Sequence, residues 1–383
     1  MKDSTTGSAA SRPVAAVECS KWAEVDPAAI RDNAAEVARA VGPDVRVMAM
    51  VKADGYGHGA ALAATAALEG GASWLGVSSA EEALHLRREG FRAPLLITGW
   101  VPPARVPELV EAQVQMTVWS AEQIAAATRA GGRVPAQIHL KIDTGMGRLG
   151  CAPEAVPGLA DAIDRARTRL RPVGALTHFA AADSDASFTR LQDRTFMDAV
   201  LDLRRRWPDL IVHAANSAAA LGLPETRHSL VRIGIALYGY PPAGAAPTVS
   251  LRPAMSFHAR ITEVKTVPPG QSVGYGRTWI AERGTRVATI AAGYADGVHR
   301  AQSSRGCVLV GGCRCPIIGR VSMDQITADI SATSGVRAGD EAVLFGRQGD
   351  QWLGADEVGA AVGTISYEVL CSVSGRVPRL SLA

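Results

Sequence analysis

Residues 45–59 read VRVMAMVKADGYGHG, an apolar run followed by a polar, glycine-rich segment. The apolar run at 45–51 has the composition of a buried strand, and a helical pattern begins at residue 59 after a polar, glycine-rich segment. A buried strand, a polar loop and a helix in that order make up the repeating unit of parallel sheets. The stretch therefore predicts a parallel strand with Lys52 at its carboxyl end.

The same order recurs along the first two-thirds of the chain. Further strand-like runs, each followed by a helix-like or polar segment, lie at 74–77, 94–97, 115–118, 136–142, 170–177, 211–214 and 230–235. About eight such units predict a (β/α)8 TIM-type barrel, which needs roughly 250 residues. The alternative is a doubly wound sheet, but the glycines at 55–59 lack the spacing of its nucleotide-binding fingerprint.

The hydrophobic pattern of the sequence changes at about residue 250, where helical spacing becomes rare. Short β-rich runs follow, at 254–264, 286–292, 307–310, 317–321, 326–330 and 341–344, with one helix near 355–362. Glycine and proline between such runs are typical of a mainly antiparallel β domain. The sequence therefore predicts a disordered tail over 1–20, a barrel over 21–250 and a C-terminal β domain over 251–383.

Composition narrows the function classes. The chain has 383 residues, of which 47% are hydrophobic and 20% charged, and this length and composition suit two globular domains. The net charge of +3 is small and gives no reason to expect nucleic acid or a membrane as partner. The N-terminus lacks the basic start and apolar run of a secretory signal, so we expect a cytoplasmic protein. Six cysteines without two close pairs predict reduced thiols and no metal site.

Polar side chains follow the predicted barrel strands at their carboxyl ends, which meet at one mouth of the barrel. Lys52 would emerge there as a desolvated amine, which can attack an aldehyde, although a single lysine is more often a solvated charge. His178 follows another strand, where a packed structural histidine is the common alternative. Arg232 lies inside the last apolar strand, and a buried guanidinium must be paired or hydrogen-bonded.

Motifs around these residues resemble the alanine racemase family of fold type III pyridoxal-phosphate enzymes. Nine segments match in order along residues 22–379: AMVKADGYGHG (49–59), HLKIDTGMGRLG (139–150), THFAAAD (177–183), HAANSAA (213–219), VRIGIALYG (231–239), VGYGRTW (273–279), AAGYADG (291–297), GRVSMDQ (319–325) and TISYEVLC (364–371). Each motif alone is weak, but nine in order are specific. The resemblance implies racemisation of alanine, with D-alanine supplied for peptidoglycan.

The resemblance also implies catalytic roles. Lys52 corresponds to the lysine that binds pyridoxal 5'-phosphate as a Schiff base and serves as the base on one face of the substrate. Tyr275 corresponds to the base on the other face, contributed by the partner subunit of a homodimer. His178 would support Tyr275 and would itself be linked to Arg232, the partner of the pyridine nitrogen.

The remaining roles follow from the same resemblance. The cofactor would be held by Lys52, Tyr56, Arg148, His178, Asn216, Ser217, Arg232, Gly234, Ile235 and Tyr367. The small amino-acid substrate would contact Arg148, Tyr275 and Met323. Tyr294, Arg320 and Ile365 would line the access channel, and Lys141 matches a lysine that is carbamylated in some relatives. The chain departs from many relatives at Ser322, where they have cysteine.

Three other functions fit parts of the sequence. A decarboxylase of the same fold would pair the pyridine nitrogen with a carboxylate, where this chain has Arg232, and would use a cysteine of the β domain. A non-enzymatic single-domain barrel would lack the residues after 250. A racemase of broader or different specificity, for serine or lysine, would need only a differently shaped pocket, since one methylene changes binding by about 1–3 kcal/mol.

Overall fold

A computed structural model of the chain describes residues 18–242 and 249–382. The chain divides into two compact units, one formed by residues 27–254 and one by residues 255–382 together with 18–26. The first strand, β1 (Lys21–Val25), therefore belongs to the second unit, called the β unit below. Residues 1–17 of the predicted tail lie outside the described residues.

Parallel strands form the core of the first unit. In its described part there are eight: β2 (Arg46–Met50), β3 (Trp74–Val77), β4 (Leu95–Ile97), β5 (Gln115–Val118), β6 (Ala136–Lys141), β7 (Leu170–Leu176), β8 (Ile211–His213) and β9 (Leu230–Ile233). They pair in the order β8-β7-β6-β5-β4-β3-β2-β9. The two end strands approach each other, with the Arg232 N–H donating to the Ala215 carbonyl at 3.0 Å. The predicted (β/α)8 barrel is confirmed in this nearly closed sheet.

Helices precede and connect the strands of the barrel. They are α1 (Pro27–Val41), α2 (Lys52–Tyr56), α3 (Ala60–Glu69), α4 (Ala80–Arg88), α5 (Val106–Glu111), α6 (Ala121–Ala130), α7 (Val156–Arg165), α8 (Ala186–Arg206) and α9 (Ser217–Gly222). The side chains of Ser79, Ser120, Asp185 and Asn216 cap α4, α6, α8 and α9, each accepting a backbone N–H of the first turn. No helix in the described ranges combines the length and the apolar character that crossing a membrane requires.

The β unit is built around one long strand, β10 (Met255–Val267). The other strands after it are β11 (Ser272–Val273), β12 (Trp279–Ile280), β13 (Thr285–Ile290), β14 (Cys307–Val310), β15 (Cys313–Pro316), β16 (Ile326–Asp329), β17 (Glu341–Gln348), β18 (Gln351–Leu353) and β19 (Arg379–Ser381). The main sheet runs β15-β14-β17-β10-β1-β19, and β13 pairs with both β10 and β16. All pairs are antiparallel except β1 with β19, so the predicted β domain is confirmed.

Three local features differ from the sequence-based expectation. The strand expected at 317–321 is reduced to one bridge between Ile317 and Ala328, because Gly319 adopts φ 69° where the chain turns beside Val273. Two helices rather than one are present near the C-terminal end, α10 (Ala355–Val362) and α11 (Ser366–Ser372). Residues 21–26, expected in the barrel, lie in the β unit because β1 pairs with β10 and β19.

Candidate active site

Lys52 stands where the buried strand β2 ends, at the start of α2, which is a left-handed turn. Ala53, Asp54 and Tyr56 have φ values of 51°, 52° and 52°. For residues with a Cβ atom, left-handed backbone costs roughly 1–2 kcal/mol each. The turn that carries Lys52 therefore depends on outside contacts for its conformation.

Aromatic packing supplies some of that support. The ring of Tyr238 stacks on the ring of Tyr56, with centroids 4.8 Å apart, and lies 4.4 Å from the ring of His58. Its hydroxyl donates to the carbonyl of Met50, at the end of β2, at 3.0 Å. One buried tyrosine thus ties the left-handed turn to the strand that precedes it.

Arg232 is buried in β9 and makes a dense set of hydrogen bonds. Its guanidinium donates to the carbonyls of Thr177, His213 and Ala214 at 2.8–3.0 Å. Nδ1 of His178 lies 3.0 Å from Nη2, which shares its two hydrogens among His178, Thr177 and Ala214, and Nδ1 of His213 accepts from Nη1 at 3.1 Å. These contacts connect the carboxyl ends of β7, β8 and β9, and they satisfy a cation that burial would otherwise penalise.

A chain of imidazoles extends from Arg232 into the barrel. Since arginine can only donate, Nδ1 of His213 accepts and its proton resides on Nε2, which donates to Nδ1 of His139 at 2.9 Å. His139 then donates from Nε2 to the Gln115 side-chain carbonyl at 2.7 Å. Each member has one defined donor and one defined acceptor, so the chain holds Arg232 in one orientation.

Burial and the nearby guanidinium keep these imidazoles neutral. Burial lowers the pKa of His139 to about 3, and the positive charge of Arg232 acts in the same direction. The pKa values of His178 and His213 are also held well below the ordinary value, by burial first and by Arg232 second. Burial lowers the pKa of Arg232 to about 10, which leaves it charged at neutral pH. The site therefore has neutral histidines beside a permanent cation.

Lys141 lies at the end of β6 and is buried. Burial first, and then the positive charges of Arg232, Arg148 and Lys52, lower its pKa to about 8, although the Asp143 carboxylate acts in the opposite direction. The loop after β6 is shaped by Asp143, whose carboxylate accepts the backbone N–H groups of residues 145, 146 and 147 at 2.9–3.1 Å. The structure thus brings Lys52, Lys141, Arg148 and Arg232 into one electropositive region, which suits an anionic ligand.

Bare backbone at the start of a 3-10 turn completes the group of predicted site residues within the barrel. A Cβ atom at Gly234 would lie 2.5 Å from the Tyr56 hydroxyl, so only glycine leaves room there. The Gly234 N–H donates to the Ser217 hydroxyl at 3.0 Å, and Ile235 begins the turn. The Asn216 side chain accepts the Ala219 N–H and is used in capping α9. Hydroxyls and amides gathered at one point fit a phosphate group.

The predicted residues of the β unit form connected groups within that unit. The Arg320 guanidinium lies against Gly276, next to Tyr275, since a Cβ atom at Gly276 would be 3.0 Å from it. The backbone N–H of Tyr294 donates to the Ser322 carbonyl at 2.9 Å, and the next N–H donates to the Met323 carbonyl at 3.0 Å. Segment 319–325 therefore contacts both of the turns that carry the predicted tyrosines.

Large apolar side chains are exposed where these residues lie. Among the described residues of the β unit, the exposed ones are Tyr275, Ile280, Tyr294, Met323, Ile365 and Tyr367. All but Ile280 are residues that the sequence analysis assigns to the site. Tyr275 is the most exposed of them, at 72%. Large apolar side chains exposed in this number occur at binding faces.

His139, His213 and Gln115 received no role in the sequence analysis, although they extend the hydrogen-bond chain from Arg232. The two histidines fall in the matched motifs at 139–150 and 213–219, which was the available signal. Gln115 begins an otherwise apolar strand, and a buried amide there indicates a partner inside the barrel.

Comparison with protein families gives two adjoining matches. Residues 25–242 match the family model for the alanine racemase N-terminal domain, and residues 254–381 match that for the C-terminal domain. The alanine racemase of Desulfosudis oleivorans is 43% identical over 376 residues, covering 94% of this chain and 96% of its own.

Solved structures agree with this assignment. The alanine racemase of Streptomyces coelicolor A3(2) superposes with a TM-score of 0.91 at 37% identity, covering 96% of this chain and 99% of its own. The Bacillus anthracis alanine racemase with bound L-Ala-P superposes with a TM-score of 0.89 at 36% identity, covering 95% of both chains. The matches extend over both units and all nine motifs, and the chain belongs to the alanine racemase family of isomerases.

Proposed function

We propose that this protein interconverts L- and D-alanine with pyridoxal 5'-phosphate held on Lys52. One observation carries the proposal. Lys52 ends a barrel strand in the same electropositive region as Arg232, which is buried and hydrogen-bonded to His178. A lysine amine at this position can react with an aldehyde, and the surrounding cations suit the anionic groups of the cofactor.

The barrel residues suit each part of the cofactor. Tyr56, Ser217, Gly234 and Ile235 would hold the phosphate, and the family resemblance adds Tyr367 as a further contact. The bare backbone at Gly234 supports this, since a side chain there would displace the Tyr56 hydroxyl. When bound, pyridoxal phosphate withdraws electrons from the substrate's α-carbon and so makes its proton removable.

Further contacts would come from Arg148, Asn216 and Arg232. Arg148 would reach the phenolic oxygen and the substrate carboxylate, and Asn216 would lie beside the cofactor while capping α9. Arg232 would donate to the pyridine nitrogen, and because it has no acceptor it would leave that nitrogen unprotonated. A ring that attracts electrons less strongly favours return of the proton to the α-carbon over side reactions such as transamination.

Racemisation needs a proton acceptor on each face of the α-carbon. Lys52 would serve one face, and Tyr275 of a partner subunit would serve the other. A tyrosine is a weak base at neutral pH unless a neighbour stabilises its phenolate. His178 would be that neighbour: Arg232 occupies its Nδ1, so its Nε2–H is directed away as a donor. Arg232 and His178 would together orient the hydroxyl of Tyr275.

We propose a homodimer whose active sites are completed in trans. The exposure of Tyr275 supports this, since a proton-transfer group works in a desolvated site and a second chain would cover it. Met323 would contact the small substrate, and Tyr294, Arg320 and Ile365 would line the access channel. The product D-alanine would serve peptidoglycan synthesis in the cytoplasm.

Lys141 would be carbamylated. Its pKa of about 8 supports this, because a neutral amine is required to add carbon dioxide. The resulting negative charge would lie near Arg148 and would orient its guanidinium towards the ligand. It would also relieve the repulsion among the four cations of the site.

The alternatives are weaker. A decarboxylase of this fold would need a carboxylate where Arg232 stands, and a single-domain barrel would need no β unit. Broader specificity, for serine or lysine, is the remaining competitor, and pocket shape decides it.

A racemisation assay with both enantiomers of alanine, serine and lysine tests the proposal. We expect alanine to be the preferred substrate, and the purified protein to be yellow with pyridoxal phosphate. Lys52→Ala should lose both the colour and the activity. Lys265→Ala, which removes an exposed lysine from β10, is the matched control and should retain both. A wild-type protein that neither binds the cofactor nor racemises any of the three would overturn the proposal.

A further inference from the structure

Glu82, on the first turn of α4, joins that helix to the turn after Lys52. Its Oε1 accepts the backbone N–H of Ala53 at 2.7 Å. Its Oε2 accepts the N–H of Ser78 at 2.7 Å and that of Ser79 at 3.3 Å. The carboxylate therefore has two functions: it completes the capping box of α4, and it binds the first amide of the left-handed turn.

We propose that Glu82 is a positioning residue that holds Lys52 at the angle its chemistry requires. The inference rests on the proposed function, in which Lys52 carries pyridoxal phosphate. Ala53 directly follows Lys52 and has φ 51°, so its conformation is strained without a fixed partner. Glu82 supplies that partner from a helix that is itself capped.

The far end of the turn has a matching anchor. Asp54 Oδ1 accepts the backbone N–H of Ala60, at the start of α3, at 2.8 Å. Between the two anchors the backbone is closed by hydrogen bonds from Gly55 to Val51 and from Gly57 to Ala53, both 2.9 Å. The Glu82 contact is thus the link that fixes the Lys52 end of the turn to another helix.

A carboxylate suits this position better than an amide. Both oxygens of Glu82 face N–H donors. In Glu82→Gln one of them becomes an NH2 group, which must point at a donor whichever way the amide is turned. The variant keeps the shape of the side chain, yet it loses either the cap or the Ala53 contact.

A cap alone would explain part of this arrangement, so the experiment separates the two functions. Ser79→Ala removes the Ser79 hydroxyl, which accepts the Glu82 N–H at 3.3 Å, and leaves the Ala53 contact in place. Glu81→Gln alters the neighbouring exposed carboxylate, which pairs with Arg105. These two variants and the wild type are the controls for Glu82→Gln.

Two measurements apply to all four proteins. The first is hydrogen–deuterium exchange of the peptide spanning residues 51–60 in the cofactor-free protein. The second is the dissociation constant of pyridoxal phosphate, measured by absorbance titration. We expect Glu82→Gln to speed exchange in that peptide and to weaken cofactor binding about tenfold, the effect of losing one charge-assisted hydrogen bond. The dissociation constants of both control variants should stay within about twofold of the wild-type value.

The outcomes separate this inference from the proposed function. Wild-type protein that fails to bind pyridoxal phosphate would overturn the proposed function. The exchange data would still test whether Glu82 fixes the turn through the Ala53 N–H. If Glu82→Gln matches Ser79→Ala in both measurements, Glu82 only caps α4 and the inference is wrong. Faster exchange at 51–60 together with weaker cofactor binding, both in Glu82→Gln alone, would support it.

Discussion

Nη2 of Arg232 lies 3.0 Å from Nδ1 of His178, and this contact determines which nitrogen of His178 carries its proton. Because arginine has no acceptor, Nδ1 must accept and Nε2 must be protonated. In the proposed mechanism that Nε2–H is the group available to Tyr275 of the partner. The Arg232 guanidinium would therefore act on two groups. It would donate directly to the ring nitrogen of the cofactor, and through His178 it would direct a hydrogen bond to the phenol of Tyr275.

Tyr275→Phe should reduce racemisation in both directions by at least about 100-fold, the usual contribution of a positioned acid–base group. The substitution removes only the hydroxyl and keeps the ring, so the melting temperature should change little. Initial rates from L- and from D-alanine measure the effect. Ile280→Ala, at another exposed apolar residue, is the control. Near wild-type rates both ways would contradict the two-base mechanism.

Mixing two inactive variants tests whether the site is completed in trans. Lys52→Ala and Tyr275→Phe chains that exchange subunits should form hybrid dimers with one intact site each. Random pairing predicts recovery of about a quarter of the wild-type activity, because half the dimers are hybrids and each has one working site. Absence of recovery, when subunit exchange is demonstrated by mass spectrometry, would place both bases on one chain.

Gly234→Ala should weaken cofactor binding about tenfold or more. The added Cβ would lie 2.5 Å from the Tyr56 hydroxyl, which must move out of the proposed phosphate site. In the Tyr56→Phe background the same substitution should weaken cofactor binding less, since the hydroxyl is absent there. Absorbance titration of all four proteins completes a double-mutant cycle. Equal losses in both backgrounds would show that the two residues do not interact.

The buried histidines predict a steep loss of stability in acid. His139 has a pKa of about 3 in the folded protein and about 6.5 in the unfolded chain, so unfolding takes up a proton between those values. Each such histidine should lower the free energy of unfolding by about 1.4 kcal/mol per pH unit below about pH 6. His139→Leu should reduce the pH dependence of the free energy of unfolding by about 1.4 kcal/mol per pH unit, measured by urea unfolding from pH 7 to pH 4. His85→Gln, on the exposed face of α4, should leave it unchanged.

Lys141 should take up carbon dioxide in a pH-dependent manner. Its pKa of about 8 means that the neutral, reactive amine becomes abundant near pH 8, whereas an ordinary lysine at 10.5 is still charged there. With 13C-labelled bicarbonate, a carbamate resonance should grow between about pH 7 and pH 8.5 and should be missing in Lys141→Met. A signal that persists in the variant would assign the carbamate to another residue.

The grouping of site residues within the barrel could be predicted because parallel strands end at one mouth. Lys52 and Arg232 are read from the sequence as polar residues in apolar runs, and the structure brings them together. The pairing of His139 with His213 could not be predicted in this way. Their strands, β6 and β8, are separated by β7, and the rings meet because Gly174 leaves the space between them, where a Cβ would lie 2.5 Å from Nδ1 of His139.

Two further features depend on contacts that a linear pattern does not show. The left-handed conformation of Ala53 is set by distant partners such as Glu82, since alanine has no preference for it. Strand β1 is five residues long and pairs with β10 and β19, which lie more than 200 residues away in the sequence. Its composition would fit pairing with the nearer strand β2 equally well. Long-range pairing of this kind sets the domain boundary.

The register of β1 also has a consequence for biosynthesis. Val25 and Met255 are paired residues, so the chain leaves the β unit and returns to it at the same point. During translation β1 emerges first, but β10 becomes available only after the whole of 27–254 has been made. The barrel can fold in the meantime and bring its two ends together. The β unit would then be the last part of the protein to mature, and with it any contribution from Tyr275.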